Sequence, residues 1–187
     1  MMPRYLALLR GINVGGRNKV AMADLRQIAA DLGYTDVSTY IQSGNLLFTA
    51  TGNDAAGLAT ALERRIAERL GVRPVVVVLS EAELARVIAD NPFPDEQNPR
   101  LVHAVFRNDD HSASGLAAIA AAAKTAQASG SRDEAVIVGR TLFLHTPDGF
   151  GRSQLAAQLV SSAAQAAGTA RNWATVTRLM SLLTGEG

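Results

Sequence analysis

The order of apolar patterns in the first half of the chain constrains its fold more than any other feature of the sequence. A strand-like apolar run at Arg4–Arg10 is followed by apolar residues at helical spacing between Met22 and Leu32. The β-rich runs Val37–Gln42 and Leu46–Thr49 then flank a short polar turn. A second helical pattern ends at Gly71, and Val75–Leu79 is a continuous apolar run suited to a buried strand. This order, βαββαβ, is that of a ferredoxin-like unit.

The second half of the chain repeats most of this order. Strand-like runs at Leu101–Arg107, Ala135–Val138 and Thr141–His145 alternate with helical patterns near Ser114–Ala128 and Gly151–Ala167. We therefore predict a mixed α/β (α+β) fold of two ferredoxin-like subdomains, built from a duplicated βαββα unit with mainly antiparallel sheets. The alternative is that generic strand, turn and helix patterning produces the similarity by chance.

Turn and capping signals predict the domain boundaries. Residues 1–90 are expected to form the N-terminal βαββαβ subdomain with a connecting helix that Ser80 caps. The proline-rich segment 91–99 is the predicted junction, and residues 100–187 form the predicted C-terminal βαββα subdomain with a final helix. Asn172 is the predicted N-cap of that helix, and an apolar stripe begins at Trp173.

Composition excludes several classes of function. The chain has 187 residues and no cysteine, which excludes a disulfide framework, a thiolate nucleophile, an iron–sulfur cluster and a cysteine-based zinc site. The three histidines do not fall at a metal-binding spacing, so we predict no metal and no cofactor. The formal net charge of +1 gives no overall field that implies nucleic acid or an anionic membrane, and the N-terminus carries no targeting or membrane-spanning pattern. We expect a cytoplasmic protein with no membrane partner.

A glycine-rich, basic loop between the first strand and the first helix is the strongest sign of a ligand site. Its three glycines and three cations are Gly11, Gly15, Gly16, Arg10, Arg17 and Lys19. Glycine lets backbone N–H groups approach an anion closely, and the start of the following helix adds a positive dipole end. The loop is therefore predicted to cradle an anion. The alternative is a long glycine-rich turn whose charges simply face water.

The same loop does not match the known nucleotide-binding motifs. In a P-loop a lysine stands where this chain has Arg17, and a magnesium-binding serine or threonine stands where it has Asn18. The glycines also do not follow the G-x-G-x-x-G spacing of dinucleotide-binding folds. We therefore reject ATP hydrolysis and dinucleotide binding, and retain general anion binding.

Gln42, Ser43 and Asn45 form a second polar cluster, in the turn between the second and third strands. We expect this turn near the sheet end opposite to the helix start that follows the first strand, so its contact with the glycine loop is not assured. The simpler interpretation is a hairpin with polar turn residues. Ser43 lacks a base for a nucleophilic role, because no histidine lies in this half of the chain.

Two late arginines complete the set of candidates. Arg152 opens a late helix and offers a second anion site, although the neighbouring Ser153 is also a natural N-cap. Arg171 stands at the expected start of the last helix, where the dipole disfavours a cation unless an acid or an anionic ligand pairs with it. The candidate ligand-binding residues are Arg10, Gly11, Asn13, Gly15, Gly16, Arg17, Lys19, Gln42, Ser43, Asn45, Arg152 and Arg171.

Four segments of the sequence carry a family resemblance: residues 5–16, residues 39–45, Gly151-Arg152-Ser153, and residues 169–176. Together they resemble the bacterial family known as domain of unknown function 1697. The threonine that usually precedes the family's Arg-Asn-Trp run is Ala170 in this chain. The resemblance implies a two-subdomain α/β fold of ferredoxin-like character, and it supplies no activity, substrate or catalytic residue.

Three functional hypotheses follow. The first is an anion-binding module for a phosphorylated small molecule, a nucleotide or a nucleic-acid backbone. Base stacking on the sheet is not supported, because Leu46-Leu47-Phe48 lacks the basic and aromatic signature of an RNA-recognition strand. The second is an enzyme acting on a small anionic substrate, for which the sequence offers no convincing acid, base or nucleophile. The third is a protein-interaction or self-assembly module that uses the sheet edges and the Trp173 stripe; the oligomeric state is left open.

Overall fold

The computed structural model describes residues 2–52, 54–161 and 168–186 of the chain. These residues divide into two compact units. The first runs to Arg86 and includes the chain again from Arg178, and the second is Val87–Thr177. In the described part of the chain, no helix has the length and apolar character needed to cross a bilayer.

The first unit contains a four-stranded antiparallel sheet with the strand order β2-β3-β1-β4. This order together with two crossing helices is the ferredoxin-like arrangement that the sequence predicts. Its elements are β1 (Arg4–Arg10), α1 (Met22–Asp31), β2 (Thr35–Tyr40), β3 (Asn45–Thr49), α2 (Ala55–Leu70) and β4 (Val75–Ser80), followed by α3 (Glu81–Ala89).

The core of the first unit forms because each helix presents one apolar stripe to the sheet. Leu25 and Ile28 of α1 and Leu62 and Ile66 of α2 are all buried, at the three- and four-residue spacing of a single helical face. Phe48 of β3 belongs to the same hydrophobic cluster. These contacts hold the two helices on the sheet and fix where the loop between β1 and α1 begins.

The direction of the strands places the β2–β3 turn beside the loop that follows β1. Both β1 and β2 pair antiparallel to β3, so the two strands run in the same direction and end at the same edge of the sheet. Asn45, the first residue of β3, faces Leu8 of β1 on one side and Tyr40 of β2 on the other. The sequence-based expectation that this turn lies at the opposite end of the sheet is therefore wrong.

The second unit repeats the arrangement with a sheet of order β6-β7-β5-β8. A short 3₁₀ helix at Phe150–Arg152 precedes α5. The predicted helix near Gly151–Ala167 extends over residues 162–167, which lie outside the described residues. The elements are β5 (Val102–Phe106), α4 (Ala113–Ala128), β6 (Glu134–Val138), β7 (Thr141–His145), α5 (Gln154–Ser161) and β8 (Thr169–Asn172). The last helix, α6 (Trp173–Thr184), begins in the second unit and ends in the first.

The eighth strand corrects the predicted βαββα repeat to a full βαββαβ unit. Thr169 pairs with Phe106 of β5, and Asn172 pairs with His103 of the same strand. The strand has four residues, two of which are polar and one charged, so it carries no apolar run for a sequence pattern to detect. The predicted cap is confirmed, because the Asn172 Oδ1 atom accepts a hydrogen bond of 2.8 Å from the Thr175 N–H.

Candidate functional site

The glycine-rich loop of the first unit is a small hairpin. Val14 and Arg17 form a β-bridge, and the Arg17 N–H donates to the Val14 carbonyl at 3.1 Å. Gly15 and Gly16 stand between them with φ values of +57° and +76°. Positive φ at both central residues defines the tight turn whose twist suits a hairpin, and glycine adopts it at least cost. These two glycines are thus explained by the backbone conformation.

Two asparagines hold the base of this hairpin. The Asn13 amide nitrogen donates to the carbonyls of Val20 at 2.9 Å and Gln42 at 3.1 Å, and its oxygen accepts from the Val20 N–H at 2.9 Å. The Asn18 amide nitrogen donates to the Gly11 carbonyl at 2.9 Å. Both asparagines have positive φ, a conformation that asparagine tolerates better than most residues. The Asn13 side chain, a predicted ligand group, is therefore engaged by the loop itself.

The turn after β2 packs directly against the loop. The Gly44 carbonyl accepts a hydrogen bond of 2.8 Å from the Leu9 N–H, and Gly44 has a φ of +77°. The Asn45 side chain is fully buried and donates to the Tyr40 carbonyl at 3.0 Å and to the Ser43 hydroxyl at 2.9 Å. Asn45, a predicted ligand residue, thus stabilises the β2–β3 turn through its buried side chain.

The loop and the turn enclose a cleft of about 350 Å³ at one end of the first sheet. None of its eight described lining residues is acidic, and two of them, Val14 and Ile41, are exposed apolar residues. We call this the loop–turn cleft. It is lined by Leu9, Gly11, Ile12, Asn13, Val14, Ile41, Gln42 and Ser43.

Ile41 has a backbone conformation that its side chain disfavours. The sequence pattern assigns Ile41 to the second strand, but β2 ends at Tyr40, and Ile41 lies in the turn with a φ of +49°. A β-branched residue in the left-handed region is rare, because its Cβ substituents crowd the backbone. The side chain is also 51% exposed. Ile41 is thus strained and contributes little burial in return, a combination that recurs at ligand sites.

Replacing Ile41 with asparagine is expected to raise the free energy of unfolding by about 1 kcal/mol, because asparagine tolerates the left-handed conformation. Urea denaturation of the two proteins, followed by circular dichroism, measures the change. Ile12→Asn is the contrasting substitution, since Ile12 is buried in the core and has no positive φ, and it should destabilise the protein. A loss of stability in Ile41→Asn would show that the apolar contacts of Ile41 outweigh its strain.

Three cations belong to the loop that forms one side of the loop–turn cleft. Arg10 ends β1 and is partly buried, which lowers the pKa of its guanidinium below the usual value. Arg17 is exposed and stands opposite Val14 in the hairpin, so the two side chains leave the ribbon on the same face. Lys19 is exposed two residues further along. The loop therefore contributes apolar residues to the cleft lining and carries three cations close to them in the sequence.

The two late arginines belong to the second unit. Arg171 does not begin the last helix; it lies on β8, 8% exposed, and its guanidinium donates to the Thr169 hydroxyl and the Ala170 carbonyl at 2.8 Å each. Burial lowers its pKa to about 10. Arg152 ends the 3₁₀ helix and is exposed. The next residue, Ser153, caps α5 by accepting from the Ala156 N–H at 2.8 Å.

A histidine with two carboxylate neighbours went unrecognised in the sequence. His145 Nε2 lies 2.7 Å from Glu96 Oε2, and His145 Nδ1 lies 3.2 Å from Glu134 Oε1. Glu96 is far away in the sequence, so no local spacing connects the three. The ring nitrogens point in different directions, so the carboxylates do not converge on one point. Across residues 2–52, 54–161 and 168–186, no group of three or more histidine and acidic side chains could hold a metal ion.

Comparison with known proteins identifies the family. The model of the protein family of unknown function DUF1697 matches residues 2–143. The chain is also similar to a solved structure, the conserved bacterial protein SP0830 from Streptococcus pneumoniae, with 25% sequence identity and a TM-score of 0.74. That similarity covers 98% of this chain and 99% of the other. The search of curated proteins finds no match. With three quarters of its length matched by the family model and the ferredoxin-like units as the resemblance implies, the chain belongs to the DUF1697 family.

Proposed function

We propose that this protein is a cytoplasmic anion-binding module, and that its loop–turn cleft takes a phosphorylated small molecule, a nucleotide or a nucleic-acid backbone. The observation that carries the proposal is the meeting of the basic loop and the polar turn at one end of the first sheet. Arg10, Arg17 and Lys19 belong to the loop that forms one side of a cleft whose described lining carries no acid. A guanidinium beside an exposed ammonium group is a favourable arrangement for phosphate oxygens.

The side-chain hydrogen bonds that hold the loop reduce the conformational entropy lost on binding. Asn13 ties the loop to the Gln42 carbonyl, and Asn18 ties the two arms of the hairpin together. A loop that is already ordered loses less conformational entropy when a ligand binds than a flexible loop does. The strained Ile41 at the edge of the cleft fits the same interpretation, because backbone strain concentrates at sites where conformation matters for binding.

We prefer binding to catalysis because the first unit supplies positioning groups without a proton-transfer partner. All three histidines of the chain, His103, His111 and His145, belong to the second unit. The Ser43 hydroxyl accepts a hydrogen bond from the buried Asn45 amide, which is not a base. The candidate groups at the cleft can therefore orient an anion but offer no general acid or base chemistry.

Removing two cations should test the proposal. The double variant Arg17→Ala, Lys19→Ala is expected to bind pyrophosphate, adenosine triphosphate or a short single-stranded oligonucleotide at least about tenfold more weakly than the unchanged protein. Isothermal titration at about 50 mM and about 200 mM salt measures the affinity, and the salt dependence should be shallower in the variant. Both side chains are exposed, so the variant should fold normally.

The matched control removes two cations from the surface of α2. Arg64 and Arg65 each face Glu68 on that helix, and they lie outside the loop and the turn that form the cleft. The double variant Arg64→Ala, Arg65→Ala changes the net charge by the same amount and should keep the affinity. Equal losses of affinity in the two double variants would show that overall charge, and not the loop, explains the effect. If the unchanged protein binds none of the probes, the proposal is refuted.

A further inference from the structure

The second unit contains a cavity of about 480 Å³ between the end of α4 and the start of α5. Its volume falls in the range of small-molecule sites. Its walls combine apolar surface with hydroxyl, amide and charged side chains. The ones that bear on its ligand are Thr125, Ser129, Asp133, Arg152, Gln154 and Gln158.

A buried acid lines this cavity. Asp133 is only 6% exposed, and its Oδ2 atom accepts a hydrogen bond of 2.8 Å from the Ser153 hydroxyl. The neighbouring Arg132 forms its ion pair with Asp148 and interacts with the Asp133 charge only over a longer distance. In the described part of the chain, no lysine, arginine or histidine nitrogen lies within 4.0 Å of the Asp133 carboxylate. Acidic side chains this deeply buried are normally paired, so the site favours a cationic group from outside.

The guanidinium of Arg152 lines the same cavity, and it has no carboxylate partner among the described residues. Arg152 borders the cavity, and among the described residues no Asp or Glu oxygen lies within 4.0 Å of its side chain. Arg152 and Asp133 both line the cavity, but they do not form an ion pair with each other. The cavity thus holds one negative and one positive group that are held apart, and each is available to a complementary charge.

The ends of two helices border the cavity. Ser129 and Gly130 follow the last turn of α4, where the helix dipole is negative and favours a cationic group. Gln154 begins α5, where the dipole is positive and favours an anionic group. The start of α5 also stabilises the Asp133 carboxylate, which accepts a hydrogen bond from the capping residue Ser153.

We propose that this cavity binds a small zwitterion of the free amino-acid class, with its ammonium group against Asp133 and its carboxylate against Arg152. Two charges of opposite sign on one small molecule match the two separated charges of the cavity. Gln154 and Gln158 offer amide groups, and Thr125 and Ser129 offer hydroxyl groups, to the remaining polar atoms of the ligand. This site lies within the second unit and is independent of the loop–turn cleft.

The test is a titration of the full-length protein with the twenty free amino acids, followed by isothermal calorimetry on those that shift its thermal unfolding. A simple alkylamine and a simple carboxylate of similar size are the probes that carry one charge each. We expect at least one amino acid to bind saturably, and each single-charge probe to bind at least about tenfold more weakly. Binding of no amino acid, or equal binding of the alkylamine, would overturn the proposal.

Two substitutions locate the site. Asp133→Asn keeps an oxygen that can accept from the Ser153 hydroxyl but removes the charge, and Arg152→Gln removes the cation from an exposed position. Each should weaken amino-acid binding at least about tenfold. Asp110→Asn is the control for the loss of one negative charge, because Asp110 is an exposed acid of the second unit that does not line the cavity, and it should keep the affinity. Arg152→Gln keeps the test valid if Asp133→Asn fails to fold, and unchanged binding in Arg152→Gln would place the ligand elsewhere.

Discussion

Replacing Gly44 with alanine is expected to lower the free energy of unfolding by about 2–4 kcal/mol, because two costs act at one position. Gly44 has a φ of +77°, which alanine adopts only with strain. A Cβ atom at this position would also lie 2.8 Å from the Leu9 Cβ atom and 2.9 Å from the Ile12 Cδ1 atom. The Leu9 Cβ cannot move without its strand, so β1 and the turn would have to separate.

Urea denaturation followed by circular dichroism measures the loss of stability. Hydrogen exchange locates it, since the Leu9 N–H donates to the Gly44 carbonyl and should exchange faster in the variant. Gly15→Ala and Gly16→Ala are matched controls, because both glycines have positive φ but open space around them. Each control substitution should lower the free energy of unfolding by about 1 kcal/mol. A Gly44→Ala variant that is no less stable than these controls would contradict the close packing of the turn against the loop.

The sequence predicts the sheets well because seven of the eight strands carry local signals. β1 and β4 are continuous apolar runs, and the helices between the strands show clear stripes such as Leu62 and Ile66. β8 has neither feature, since both of its buried positions are occupied by polar or charged residues, Thr169 and Arg171. It is a strand because the edge of β5 offers unpaired backbone groups, which is a property of the assembled sheet.

The glycines and cations of the loop could be found in the sequence, but the roles of its asparagines could not. Asn13 and Asn18 hold the hairpin through side-chain bonds to backbone groups up to 29 residues away. No local pattern distinguishes such a clamp from a residue that contacts a ligand. The meeting of loop and turn, in contrast, follows from topology alone, because β1 and β2 run in the same direction.

The polar groups of the second unit illustrate a different limit of sequence reasoning. Asp133 and Ser153 are 20 residues apart, and they meet only because α5 starts beside the segment that follows α4. His145 meets Glu96 over a separation of 49 residues. Burial and the lack of a counter-ion are tertiary properties, so the cavity could be recognised only once the chain was folded.

His103 should make the protein less stable as the pH falls below about 6.5. It lies on β5, stacks on Phe150 with ring centroids 3.8 Å apart, and its buried Nδ1 atom has no hydrogen-bond partner within the described residues. Burial lowers its pKa to about 4. Between that value and the unfolded pKa of 6.5, only the unfolded state takes up the proton, so stability is full above pH 6.5 and falls as the pH drops towards 4.

The free energy of unfolding is expected to fall by about 2–3 kcal/mol between pH 7.5 and pH 4.5. This loss is smaller than the full pKa shift of His103 would give, because the residue is only half-buried. The variant His103→Phe keeps an aromatic ring against Phe150 but cannot be protonated, so it should lose less stability over the same interval. His111, whose pKa burial also lowers, is present in both proteins, so the difference between their urea denaturation curves isolates His103. Equal losses in the two proteins would mean that His103 accepts a proton in the folded state as easily as in the unfolded chain.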